Sequence, residues 1–179
     1  MTTRTGMRRQ AGLTALYLGV FATLWFSVPK ADPPWHTLLV VGSVAALVIA
    51  VTGAVVAARS RDAGAPRDRA ADRRYLLIVG AEFAAAGLGA WLLGLAGWSA
   101  FIPVLVSAIV GAHFVPLAPV LRDPLLKPLG GAVCLVALAG LVVGLASSVP
   151  AGLVVGTGTG LLLLGYAIMA LGRARLPAG

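Results

Sequence analysis

Charge is what this 179-residue chain has least of: 11% of its residues are charged and 59% are hydrophobic. Soluble globular domains carry roughly 25% charged residues and about 45–50% apolar ones. A small domain leaves much of its surface in water, so an apolar excess of this size cannot be hidden in one soluble core. Asparagine is absent, which removes any N-glycosylation acceptor. The lone Cys134 excludes an intrachain disulfide, and glutamate occurs once, as Glu82. P-loop, HExxH, CxxC and GxSxG signatures are missing, and with them the chemistries they carry. The Gly-rich run Gly156–Gly160 lacks the P-loop lysine and reads as a packing stripe. One His, one Glu and one Cys within the apolar segments are too few for a metal that wants three or four protein ligands. No metal and no cofactor are therefore expected. No lysine lies inside a span to carry a retinal Schiff base.

What is present is a series of long apolar runs. Six of them can cross roughly 30 Å of hydrocarbon: about Ala11–Val28, Thr37–Ala58, Tyr75–Leu95, Ala100–Leu121, Pro128–Ser147 and Ala151–Leu171. Lipid offers no partner to a backbone amide, so each run must be a helix. The expected fold is all-α: an integral membrane bundle of six transmembrane helices forming a single domain over residues 1–179. The first run, long and followed by the poor cleavage site Pro29-Lys30-Ala31, is read as a retained span.

The net charge of +8 does not point to nucleic acid, because the basic residues sit in short runs at the ends of apolar segments. Arg4, Arg8 and Arg9 precede the first span, and Arg59, Arg61, Arg67, Arg69, Arg73 and Arg74 follow the second. Arg122 and Lys127 follow the fourth, and Arg173 and Arg175 the sixth. Lys30 is the one basic residue on the other side. Positive residues are retained in the cytoplasm, so both termini are expected there, with three in-out-in hairpins. Residues 59–74 form a basic cytoplasmic loop that can lie against anionic headgroups. The bilayer is the one certain partner class; a protein partner or a second copy stays open. Arg far outnumbers Lys in a chain rich in Ala, Gly, Val and Leu, which fits a bacterial inner (plasma) membrane protein.

Helices in lipid associate through close backbone approach, which small residues permit. Gly152, Gly156 and Gly160 in the sixth span, Gly140 and Gly144 in the fifth, and Ala81, Ala85 and Gly89 in the third have the required spacing. Pro116 and Pro119 interrupt the fourth span and free the carbonyls of Ala112 and Val115.

Glu82 is the only carboxylate inside a span, and an ionised side chain there costs on the order of 2.5–3.5 kcal/mol. His113 is its natural partner. Glu82 lies eight residues after Arg74 and His113 nine before Arg122, which sets both roughly 12–14 Å inside the cytoplasmic edge at 1.5 Å per residue. A carboxylate and an imidazole at one depth can share a proton. The same counting brings Tyr17 and Tyr166 to that layer, with Thr52 and Cys134, and Thr159 follows on the stripe of Tyr166. Glu82, His113, Tyr17, Tyr166 and Thr159 are thus the candidate ligand-binding residues. Equally, Glu82 can be a protonated acid that only fastens helices.

The run Gly111-Ala112-His113-Phe114-Val115-Pro116-Leu117-Ala118 resembles a G-x-H-F-x-P-L-A stretch of small uncharacterised bacterial multi-pass membrane proteins. The likeness covers about one helix of six and implies no activity. Three readings remain open: a bundle that binds or transports a proton or small ligand, an accessory or scaffold subunit, and a metal-independent enzyme acting on a lipid or isoprenoid, with Glu82 as acid and His113 as base. The residues lean away from an enzyme without deciding the matter.

Overall fold

A computed structural model describes residues 2–60, 69–121 and 123–175. Among them every regular element is helical: α1 (Thr2–Ser27), α2 (Trp35–Arg59), α3 (Arg69–Leu95), a 3₁₀ turn (Ser99–Phe101), α4 (Ile102–Leu121), α5 (Leu126–Ala146) and α6 (Ala151–Arg175). All six α-helices are long and apolar enough to cross a membrane. They start and stop close to the apolar runs, except that α1 and α3 extend N-terminally into polar sequence. Outside lipid a helix needs only good formers, and the Arg-Ala-Ala-Asp-Arg-Arg lead of α3 supplies them. Arg61, Arg67 and Arg122, with residues 61–68 of the 59–74 connection, lie outside the described residues.

The chain divides into two compact units. The first holds α1, α2 and α6 from Gly160 onward; the second holds α3, α4, α5 and α6 up to Thr159.

In the first unit, α1 and α2 meet backbone to backbone. A methyl group built on Gly12 would lie 2.7 Å from the amide nitrogen of Ala57, and one on Gly19 2.8 Å from that of Ala50. On Gly53 it would lie 2.6 Å from the Gly12 carbonyl oxygen. Gly12, Ala15, Gly19 and Ala22 face Ala46, Ala50, Gly53 and Ala57, all buried. These positions alternate three and four apart, the 3.5-residue repeat of a coiled-coil seam. Phe26 closes the seam, its ring lying over Gly42 of α2 and Gly160 of α6, both of which lack the Cβ that would strike it. Trp25 is buried beside it.

In the second unit α4 crosses α5 as tightly. A Cβ on Gly130 would lie 2.5 Å from the Gly111 carbonyl, and one on Gly111 would meet the Cys134 sulfur at 2.6 Å. The buried residues Val104, Ser107, Gly111, Phe114 and Ala118 of α4 again alternate three and four apart, and Leu126, Leu129, Val133, Ala137 and Gly140 of α5 follow at steps of three or four. Gly140 and Gly144 receive Val155 and Ala151 at the start of α6. Of the other expected stripes, Gly160 makes its contact through Phe26, while Gly152 meets only Pro103 at an ordinary 3.6 Å. Ala81 and Ala85 are exposed, and Gly89 lies under Leu105.

The α3–α4 hairpin turns on Gly97, whose φ of +76° is left-handed. The Trp98 amide bonds the Leu93 carbonyl (2.8 Å) and the Gly97 amide that of Gly94 (3.2 Å), the paired bonds of a Schellman ending. Pro116 and Pro119 stand on the exposed side of α4, which runs through both to Leu121.

Candidate functional site

The short Gly97 turn sends α4 back along α3, and this juxtaposition positions the candidate site. The half-buried residues of α3 are Ile78, Val79, Glu82, Ala86, Gly89, Ala90 and Leu93. They form one stripe, and Glu82 is its only polar side chain. Ala86 and Gly89 share this stripe with Glu82, while Ala85 is exposed.

His113 reaches Glu82 across the helix pair. Its Nδ1 stands 3.3 Å from Glu82 Oε1, and each side chain is 14% exposed. The same nitrogen lies 3.1 Å from the Val110 carbonyl oxygen, one turn back on α4. A bare lone pair on Nδ1 would face two oxygens, so the ring proton belongs on Nδ1, shared between them. This assignment comes from the hydrogen-bond network rather than from a seen hydrogen. At 3.3 Å the carboxyl contact is longer than a tight charge-assisted bond of about 2.7–2.9 Å. The Phe114 ring lies beside the imidazole, centroids 4.9 Å apart.

The far atoms of the pair matter as much as the near ones. Among the described residues neither His113 Nε2 nor Glu82 Oε2 has a hydrogen-bond partner, and neither atom is sealed from its surroundings. The site therefore presents an open polar edge.

Two net-neutral states suit a low-dielectric setting, where an isolated charge is costly. In one, a protonated Glu82 faces a neutral His113; in the other, a carboxylate faces an imidazolium. Nδ1–H is common to both, so the states differ only in whether the remaining proton is on Oε2 or Nε2. Each state offers one donor and one acceptor on the open edge.

The other sequence candidates are placed elsewhere. Thr159 is in the same unit, but its hydroxyl is 3.0 Å from that of Ser107, and both residues are 0% exposed. Tyr17 and Tyr166 belong to the first unit; Tyr17 is 55% exposed and Tyr166 is buried at 4%. Thr52 bonds the Val48 carbonyl of its own helix. Cys134 directs its sulfur toward the Ala108 carbonyl at 3.7 Å. Among the described residues no group of three or more His, Cys, Asp or Glu could hold a metal ion.

Two polar groups escaped the reading of the sequence. Ser107 was visible only as one of several hydroxyls at assorted depths, and its spacing of four from Gly111 on the buried stripe was the usable signal. Thr157 has a buried hydroxyl oxygen with no partner among the described residues, and nothing in the sequence distinguishes it.

Comparison with protein-family models, with curated proteins and with solved structures finds no match.

Proposed function

We propose that this chain is a multi-pass protein of a bacterial inner membrane, with both termini cytoplasmic, whose working centre is the Glu82–His113 pair. The pair holds one exchangeable proton within the bilayer and binds a small ligand at its open edge. The observation that carries this reading is the 3.3 Å contact of Nδ1 with Oε1 combined with the accessibility of Nε2 and Oε2. A carboxyl group serving only to fasten helices would spend its second oxygen on the partner helix. The buried Ser107–Thr159 contact is such a fastener, and it leaves no open edge.

The orientation rests on the basic residues at the helix ends, which also suit anionic headgroups on the cytoplasmic side. A second reading, an accessory subunit, is favoured by α3: none of the residues in its spanning segment is buried, so a broad face is available to a partner helix or a second copy.

The test is ¹⁵N spectroscopy of histidine-labelled protein in lipid nanodiscs, with His36→Gln removing the only other histidine. The expected result is a proton on Nδ1 of His113, with ring-nitrogen resonances that move in Glu82→Gln. A ring protonated on Nε2 alone, or a spectrum indifferent to Glu82→Gln, overturns the reading. If Glu82→Gln fails to fold, the carboxyl stretching band of Glu82, compared between the parent and His113→Gln, supplies the same decision.

A further inference from the structure

The open edge of the pair has identifiable surroundings, and they restrict what can reach it. On α3 the exposed residues beside Glu82 are Ala81 and Ala85; on α4 those beside His113 are Ala112 and Pro116. All four lie on the same side of their helices, away from the stripe on which α3 meets α4. All are apolar and small or compact, so they flank the polar atoms without covering them. Pro116 has no N–H to give the Ala112 carbonyl, which leaves that oxygen without its usual helical partner at the rim. Further out on that side of α3 the exposed residues are Leu77 and Leu88. The nearest described charges on α3 are the exposed Arg73 and Arg74, which lie about 12 Å along the helix.

We infer that this edge receives the hydroxyl group of a long-chain, uncharged membrane alcohol entering sideways from the lipid. The inference rests on the dyad reading above and adds the class of its ligand. Either net-neutral state of the pair shows one donor and one acceptor, and a hydroxyl both donates and accepts. The hydroxyl donates to Nε2 when that atom is bare and accepts from it when it is protonated. A charged headgroup finds no countercharge at this depth, and an ion or sugar would have to cross an apolar rim. An amphiphile with a single hydroxyl meets both conditions, its hydrocarbon body resting on the exposed Leu77 and Leu88.

The experiment adds oleyl alcohol or oleyl methyl ether to nanodiscs holding the His-labelled protein and follows the His113 ring nitrogens. The alcohol is expected to shift the Nε2 resonance saturably, and the ether, which can accept but not donate, to shift it less. In Glu82→Leu the half-saturating alcohol fraction should rise about tenfold, the effect of losing one hydrogen bond to a strongly polar group. Ala85→Phe, which fills the rim from an exposed position, should abolish the response while the ring proton stays on Nδ1. If the proton is on Nδ1 but alcohol and ether act alike or neither acts, the alcohol inference is overturned and the dyad stands. If the proton is not on Nδ1, both fall.

Discussion

Substituting alanine for Gly53 tests the account of the first unit by the sign of its effect. The added methyl carbon would stand 2.6 Å from both the Gly12 carbonyl oxygen and the Leu16 amide nitrogen. Both are backbone atoms of α1 and cannot rotate aside. Ordinary van der Waals contact starts near 3.4 Å, so α1 and α2 must part locally by about 0.8 Å. A gap of roughly 0.5–1 Å forfeits a quarter to a half of each dispersion contact, and the seam of Ala15, Ala22, Ala46 and Ala50 consists of little else. Overpacking of this kind costs about 1–3 kcal/mol. Against it stands the gain of about 0.5–1 kcal/mol that alanine gives over glycine inside a helix, leaving a net loss of roughly 0.5–2 kcal/mol. Gly80 is the control: a methyl there meets nothing within 4 Å, so Gly80→Ala should be neutral or stabilising. Reversible unfolding in mixed micelles measures both. If Gly53→Ala proves as stable as Gly80→Ala, the close approach of α1 and α2 is wrong.

Two further outcomes follow from the structure. Ser107→Ala should cost about 1–3 kcal/mol by leaving the Thr159 hydroxyl buried without a partner; adding Thr159→Val should recover part of it, with a coupling near 0.6 and at most about 1.7 kcal/mol, and purely additive losses would show that the 3.0 Å contact carries no energy. Reporter fusions within residues 59–74 should score as cytoplasmic and fusions at Ser148 as external, and the reverse pattern would refute the orientation drawn from the arginines.

The number and extent of the helices were legible in the sequence because lipid imposes a simple demand. A segment that cannot hydrogen-bond to its solvent must bond to itself, and the minimum length is set by the bilayer. The basic ends were legible for an equally local reason. The depth of Glu82 and His113 could likewise be counted from Arg74 and Arg122, because the rise per residue of a helix is constant. Counting along helices gives height but not azimuth, and so it grouped Tyr17 and Tyr166 with Glu82 although the fold assigns them to another unit.

Which small residues form the seams was not legible for the same reason. Gly and Ala are abundant on every helix, and only the mutual rotation of two helices decides which of them meet. That rotation chose Gly12, Gly19 and Gly53 for close approach and left Ala81 and Ala85 exposed. It also settled the chemistry of the site. The sequence by itself determined six helices long and apolar enough to cross a membrane, with one carboxylate and one imidazole at matching positions along two of them. The tertiary structure alone decided that Nδ1 meets Oε1 while Nε2 and Oε2 remain open, because side-chain contact depends on helix orientation, a non-local quantity that residue spacing does not encode.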